Sequence, residues 1–208
     1  VGVSGKIISV DNDPAMLSVA KELFAKIDDN DKARTEWFDC GAESLNLKPN
    51  EIDLCTLLQG PNFLSDPKKV LKGVLGALKP SGRVVASAWG KIEENKGHFA
   101  IASALKKLGV QPALKPFSMG SPSLLKDIFM GSGFVIEKFY TEQKIISFNS
   151  VKEFVSGVAA GAPATRHAIS QLSLSKYEDF FQVVEELLVD YSSTNGLNLP
   201  TQAHIVQA

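Results

Sequence analysis

Residues 6–10 are apolar and rich in β-branched side chains, a strand pattern, and they run directly into a carboxylate, Asp11. Asp13 and Pro14 then supply an N-cap and a first helical residue. Met16, Leu17, Ala20, Leu23, Phe24 and Ile27 recur at helical spacing, which predicts a helix with one buried face, broken by the acidic run 28–31. Residues 35–39 read as a short second strand. Residues 52–58 form a third, apolar apart from Asp53 and Thr56, as suits a strand buried on both faces. Asp66 and Pro67 repeat the cap-and-proline start, with Val70, Leu71, Val74, Leu75 and Leu78 as the inner stripe. Residues 79–82 predict a tight turn and 83–89 a fourth strand. Strands alternating with helices over short joints predict an α/β fold with a mostly parallel sheet.

Beyond Gly90 the rhythm loosens. Residues 99–108 predict a helix, 109–122 a proline-containing loop, and 123–130 another helix. The pair Gly131 and Gly133 resembles a phosphate loop, but its place between a helix and the strand 134–140 favours a C-cap turn. Residues 145–148 either extend that strand or form a separate one. Helical patterns follow at 151–158, 164–172 and 175–191, the last carrying Phe180, Phe181, Val184 and Leu188 on one stripe. Asn195 and Gly196 stop it, and 203–206 read as a last short strand. With no repeat and no low-complexity linker, the expectation is a single domain, 1–208. Its core would comprise 1–91, 123–142 and 199–208, under a helical cap formed by 92–122 and 143–198.

Composition narrows the partners. Lys and Arg number 22 against 23 Asp and Glu, a net charge of -1, so there is no basic surplus for a sequence-independent grip on nucleic acid or an anionic membrane. No apolar stretch approaches the ~18 residues of a membrane span. No signal-peptide pattern is present, so the expectation is a soluble, cytoplasmic protein, unless a targeting signal precedes Val1. Cys40 and Cys55 lack zinc-ligand spacing and sit in strand-like sequence, which predicts buried, inert thiols. His98, His167 and His204 are too scattered to share a metal ion.

An acid closing a strand in an α/β sheet commonly accepts hydrogen bonds from ribose hydroxyls, and in nucleotide folds that strand is the second of its unit. The first strand and its glycine-rich turn should then lie about 20 residues upstream. Only Val1 to Gly5 stand there.

The order of residues resembles the class I S-adenosylmethionine-dependent methyltransferases, in the ubiquinone/menaquinone-type branch. The resemblance is carried by Gly5-Lys6-Ile7-Ile8-Ser9-Val10-Asp11, by Ala42-Glu43-Ser44-Leu45, and by Ile52-Asp53-Leu54. Gln59-Gly60, Asn62-Phe63, Leu78-Lys79-Pro80-Ser81-Gly82-Arg83 and Ser87-Ala88-Trp89 continue it. The likeness reaches Gly133-Phe134 and Gly196-Leu197-Asn198-Leu199-Pro200, so it covers nearly the whole chain. Ser81 stands where the family's turn has a glycine. Gly41 stands where the family often carries an acid that meets the adenine amino group.

The resemblance implies a Rossmann-like sheet, incomplete at its start, with S-adenosyl-L-methionine as cofactor and a small, largely apolar molecule as methyl acceptor, lying under the substrate cap of 92–122 and 143–198. Asp11 would hold the ribose, with Asn12 and Met16 against the adenine, Gly41 and Ala42 offering backbone to it, and Gln59 along the methionine part. The bland readings are a helix cap for Asp11 and a place in the helix core for Met16. Phe63 and Trp89 would wall the acceptor site, or else pack in the core. His98, just after the fourth strand, is the candidate proton acceptor, against a plain surface histidine. A degenerate, non-catalytic binding module is the alternative function, and a dinucleotide oxidoreductase ranks third. The missing strand would separate its neighbours by about 9.6 Å, twice the ~4.8 Å of paired strands. A truncated sequence, a partner that supplies the strand, or direct pairing of the flanking strands is therefore expected.

Overall fold

The computed structural model describes residues 1–208. The chain begins with β1 (Lys6–Asp11), α1 (Pro14–Ala25) and β2 (Arg34–Asp39), then β3 (Ile52–Leu58), α2 (Pro67–Ala77) and β4 (Leu78–Trp89). Next come α3 (Lys96–Lys107), α4 (Pro122–Met130) and β5 (Lys138–Phe148). Helices α5 (Val151–Gly161), α6 (Pro163–Ser170) and α7 (Leu174–Leu187) follow, and a hairpin of β6 (Ser192–Ser193) and β7 (Gly196–Gln207) closes the chain. The helix starts are those the sequence indicates. The Asp13 carboxylate accepts from the Ala15 N–H at 2.8 Å and Asp66 from the Lys69 N–H at 2.9 Å, each with proline next in the chain.

Strands β3, β4, β7 and β5 pair in that order, with β6 beside β7, while β1 and β2 form a separate parallel ribbon. Two contacts set the ribbon's direction. Lys6, at the start of β1, meets Glu51, just ahead of β3, at 3.0 Å. Glu43, after β2, accepts from the Ser65 N–H, after β3, at 2.7 Å. Like ends therefore lie together, and β1 and β2 run the same way as β3. Since β4 is parallel to β3, and both β5 and β6 are antiparallel to β7, only β7 opposes the rest. The result is an α/β fold with a mostly parallel sheet.

Direct pairing of β1 with β3, one of the three outcomes expected, does not occur: β1 pairs only with β2, and β3 only with β4. Two other expectations change with it. The stripe of α1 is not wholly buried, since Leu17 alone is buried while Met16, Leu23 and Ile27 are exposed. Strand β3 is not covered on both faces, Leu58 being 68% and Leu54 50% exposed. The cause is common to both: where the sheet is open between β1 and β3, nothing covers the adjoining side chains.

The remaining differences are local. Residues 79–82 are taken up inside β4 as an irregularity, between the register pairs Ile52–Leu78 and Leu54–Arg83. The strand expected from 134 begins at Lys138, because Phe134 is still tied to the α4 terminus by its N–H on the Phe129 carbonyl. Residues 145–148 extend β5 rather than standing apart, and the last strand starts at Gly196, long enough to pair along all of β5. Gly131 caps α4 and Gly133 has φ +96°, so these glycines make the C-cap turn.

Two buried clusters hold the fold together. One joins Leu71 and Val74 of α2, Val84 and Ala86 of β4, and Leu125 and Phe129 of α4. The other joins α3, α5 and α7 to the β6–β7 hairpin through Ala104, Leu105, Phe154, Phe180, Leu188 and Leu199. Strand β4 is paired on both edges, whereas β1 and β3 each leave one edge unpaired. Hydrogen exchange should therefore be faster at the β1 and β3 amides on their open edges than along β4. Equal protection of β3 and β4 would mean that the slot is closed in solution.

Candidate functional site

The carboxyl ends of β1, β2, β3 and β4 lie along one side of the molecule, the side where open α/β sheets place ligands. Asp11 ends β1 half-buried. One of its carboxylate oxygens accepts the Asp13 N–H at 2.9 Å, and the other has no hydrogen-bond partner. Asn12 is exposed, and so is Met16, 56% open in the first turn of α1. Gly41 precedes a single turn of 3₁₀ helix, Ala42–Ser44, which points the chain from β2 toward α2. Glu43 is held there. The backbone N–H groups of Glu43 itself, Ser65 and Asp66, with Lys69 nearby, keep its carboxyl below the usual range. It is a tie between the two halves of the sheet.

Gln59 closes β3 in a left-handed backbone conformation, φ +56°, rare for a residue with a Cβ. Its N–H is fixed to the Ser87 carbonyl and hydroxyl of β4, each at 3.0 Å. The side-chain Oε1 is buried and has no donor, as is Oδ1 of Asn62, a residue only 2% exposed whose Nδ2 donates to the Pro116 carbonyl. Such orphaned acceptors are uncommon in folded proteins and gather at ligand sites.

Gln59, Phe63, Trp89 and His98 line one cavity of about 420 Å³. Ile101 and Leu105 of α3, Phe117 and the start of α6 at Pro163 complete its walls. The His98 ring is caged by Trp89, Phe117 and Phe154, with centroid distances of 5.7, 5.3 and 6.0 Å. Burial pushes the imidazole pKa down, so the ring is neutral near pH 7. The other histidines are engaged elsewhere. His204 lies between Thr141 and the Gly120 carbonyl at 2.9 and 3.0 Å, and His167 meets Gln171 at 3.0 Å.

The position of His98 is set by Asn95, which is buried ahead of α3. Its Oδ1 accepts from the Thr201 hydroxyl at 2.7 Å and the Gln202 N–H at 3.0 Å, and its Nδ2 donates to the Lys91 carbonyl at 2.9 Å. Gly97 lets α3 approach closely, since a Cβ there would meet the Phe154 ring and, at 2.7 Å, Leu199.

A family model for the ubiE/COQ5 methyltransferase family matches residues 1–112. The chain belongs to this family. It is similar to the demethylmenaquinone methyltransferase of Lactococcus lactis, 36% identical over 85 residues, 41% of this chain and 32% of that protein. The ubiquinone/menaquinone biosynthesis C-methyltransferase UbiE of Cronobacter sakazakii is 30% identical over 91 residues, 44% of this chain and 36% of that one. The matched region thus spans about a third of the length of these relatives. In fold, the chain is similar to the YcgJ protein of Bacillus subtilis, TM-score 0.60 at 13% identity, covering 99% of this chain and 92% of that one. A SAM-dependent methyltransferase from Methanosarcina mazei gives 0.53 at 10%, covering 100% and 93%. No helix of the chain is long and apolar enough to cross a membrane.

In this ubiE/COQ5-family chain the sequence-predicted residues fall into two groups. Asp11, Asn12, Met16, Gly41 and Ala42 gather at the β1–β2 ends and do not line the cavity, whereas Gln59 joins Phe63, Trp89 and His98 in it. The sequence put the acceptor under segments 92–122 and 143–198, which hold Asn95, Phe117 and the start of α6, without naming these as site residues. Asn95 carried a signal of its own, a cap-type residue immediately before a helical pattern.

Replacing Asn95 by Ala strips partners from Thr201 and the Gln202 N–H and should cost about 2–4 kcal/mol, read from denaturant unfolding. A loss below 0.5 kcal/mol, within the ~0.5 kcal/mol typical of surface substitutions, would remove Asn95 from this role. Burial also pushes the Cys55 thiol up to about 11. Its alkylation at pH 8 should be slow and rise roughly tenfold per pH unit until about pH 11, because only the thiolate reacts.

Proposed function

We propose that the chain carries the cofactor edge and the acceptor cavity of a methyltransferase that uses S-adenosyl-L-methionine. The observation that carries this reading is one free carboxylate oxygen on Asp11 and a charge-free, largely apolar cavity at the ends of neighbouring strands. The residues fit the cofactor. Asp11 offers an acceptor for ribose hydroxyls, exposed Met16 an apolar ledge for adenine, and Gly41 and Ala42 backbone beside it. When bound, S-adenosyl-L-methionine supplies an electrophilic methyl group on a sulfonium.

The chain's own residues do the rest by position. Gln59, Phe63, Trp89 and Phe117 hold a small, largely apolar acceptor and exclude water, which favours near-attack alignment. Aromatic faces at Trp89 and Phe63 also tolerate a neighbouring positive charge. Quinol-type rings suit such a cavity, and the names of the two relatives above refer to menaquinone and ubiquinone chemistry.

A second reading, a non-catalytic binding or partner module, is favoured by the open slot between β1 and β3. A further parallel strand, from elsewhere in the protein or from a partner, would fit that slot and fix the β1–β2 ribbon against the main sheet.

Isothermal titration separates these readings. The expected result is binding of S-adenosyl-L-methionine, no binding of NAD, and a Kd raised about 10- to 100-fold by Asp11→Ala, as for a lost hydrogen bond to a charged group. NAD binding would transfer the site to the oxidoreductases. Failure of both ligands to bind would leave the non-catalytic module.

A further inference from the structure

We propose that His98 is the proton acceptor of the methyl-transfer site, an assignment resting on the methyl-transfer reading above. Two observations converge on it. His98 lines the cavity and neither of its ring nitrogens has a protein hydrogen-bond partner, unlike His167 and His204, whose rings are engaged. No charged side chain lines that cavity.

The charge-free lining decides the chemistry. An ammonium substrate would find no carboxylate, and an anion no cation. A neutral molecule that carries an O–H or N–H on an apolar frame gives the His98 ring its hydrogen bond and buries the rest of itself. Charged and titratable groups on the surrounding elements stay outside the cavity. These are Glu93, Glu94 and Lys96 at the α3 start, Lys115 beside Phe117, Lys152 and Glu153 on α5, and Arg166 and His167 on α6; all are exposed except half-buried Lys96. The protonation of His98 therefore answers to burial and to the ligand.

The step balances. A neutral His98 ring nitrogen takes the proton from the acceptor's O–H or N–H. The electron pair so released forms the bond to the transferred methyl carbon. The carbon–sulfur bond of the sulfonium donor breaks toward sulfur, giving a neutral thioether. The imidazolium left on His98 then returns its proton to water.

Equilibrium binding tests the assignment without turnover. The probes are 2-naphthol, which carries an O–H, and 2-methoxynaphthalene, which does not; quenching of Trp89 in the cavity wall reports both. The expected result is that the full chain prefers 2-naphthol by about five- to tenfold near pH 8, the worth of one hydrogen bond. That preference should fade as the pH falls below the ordinary imidazole range, since burial lowers the pKa and a protonated imidazole cannot accept. His98→Gln should keep the preference and lose its pH dependence, and His98→Phe should lose the preference at every pH. A preference unchanged in His98→Phe, one that does not vary with pH in the unsubstituted chain, or no 2-naphthol binding at all overturns the proposal. The pH arm needs no variant, so a misfolded substitution does not decide the outcome. Titration of each variant with S-adenosyl-L-methionine keeps the two readings apart. Lost cofactor binding in the unsubstituted chain would sink the methyltransferase reading, while the naphthol comparison would still judge His98.

Discussion

Strand β4 bears on nearly every other element, because it is the one long strand paired on both edges with partners of opposite sense. Its parallel partner β3 is pinned at the ligand end by the double hydrogen bond from the Gln59 N–H to Ser87. Its antiparallel partner β7 brings the chain terminus back to the middle of the sheet, and β5 is laid alongside. Both buried clusters rest on this spine, one directly through Val84, Ala86 and Ala88, the other through Leu197 and Leu199 of β7. Asn95 links the turn after β4 and the middle of β7 to α3. The aromatic cage around His98 therefore inherits its geometry from the best-paired part of the backbone. Rigid support of that kind is what an alignment-dependent reaction needs from its acceptor site.

The opposite side of β3 obeys a different rule. Unpaired N–H and C=O groups are costly when buried, at about 1–3 kcal/mol each. Here the groups along the β1 and β3 edges escape that cost by staying within reach of water, as the exposure of Leu54, Leu58 and the α1 stripe indicates. The balance shifts from unsatisfied polar groups to uncovered apolar ones. Lys6 spans the slot at its base, raised in pKa by hydrogen bonds to Glu51 and Glu36, but exposed ion pairs contribute little rigidity.

What was legible in the sequence follows the range of the forces involved. Helix starts at Asp13 and Asp66 and the glycine turn after α4 are set within a few residues, and they stood where capping chemistry put them. Burial of α1 and β3 was misjudged because periodicity reports which face is apolar and not whether anything covers it. The length of β7 was missed because Leu199-Pro200 reads locally as a break, and only the pairing of Pro200 opposite Ile145 on β5 makes it strand. The same limit applied at the site. The strand-end residues Asp11 and Gln59 could be found from their position in the α/β rhythm. Phe117 and the α6 start enter the cavity only through tertiary packing.

These two regimes meet at the proposed reaction. The acceptor half of the site is held by buried hydrogen bonds and a packed core. The cofactor half rests on a two-stranded ribbon joined to the main sheet by Lys6 at one end and Glu43 at the other. Two-stranded parallel pairs have little stability of their own, and productive methyl transfer demands reacting atoms held at ~3–3.5 Å. The distance from Asp11 to the cavity is therefore the least constrained dimension of the site. A strand filling the slot would pair with β1 and β3 at once, and would convert that distance from a hinge between two sheets into a fixed spacing within one.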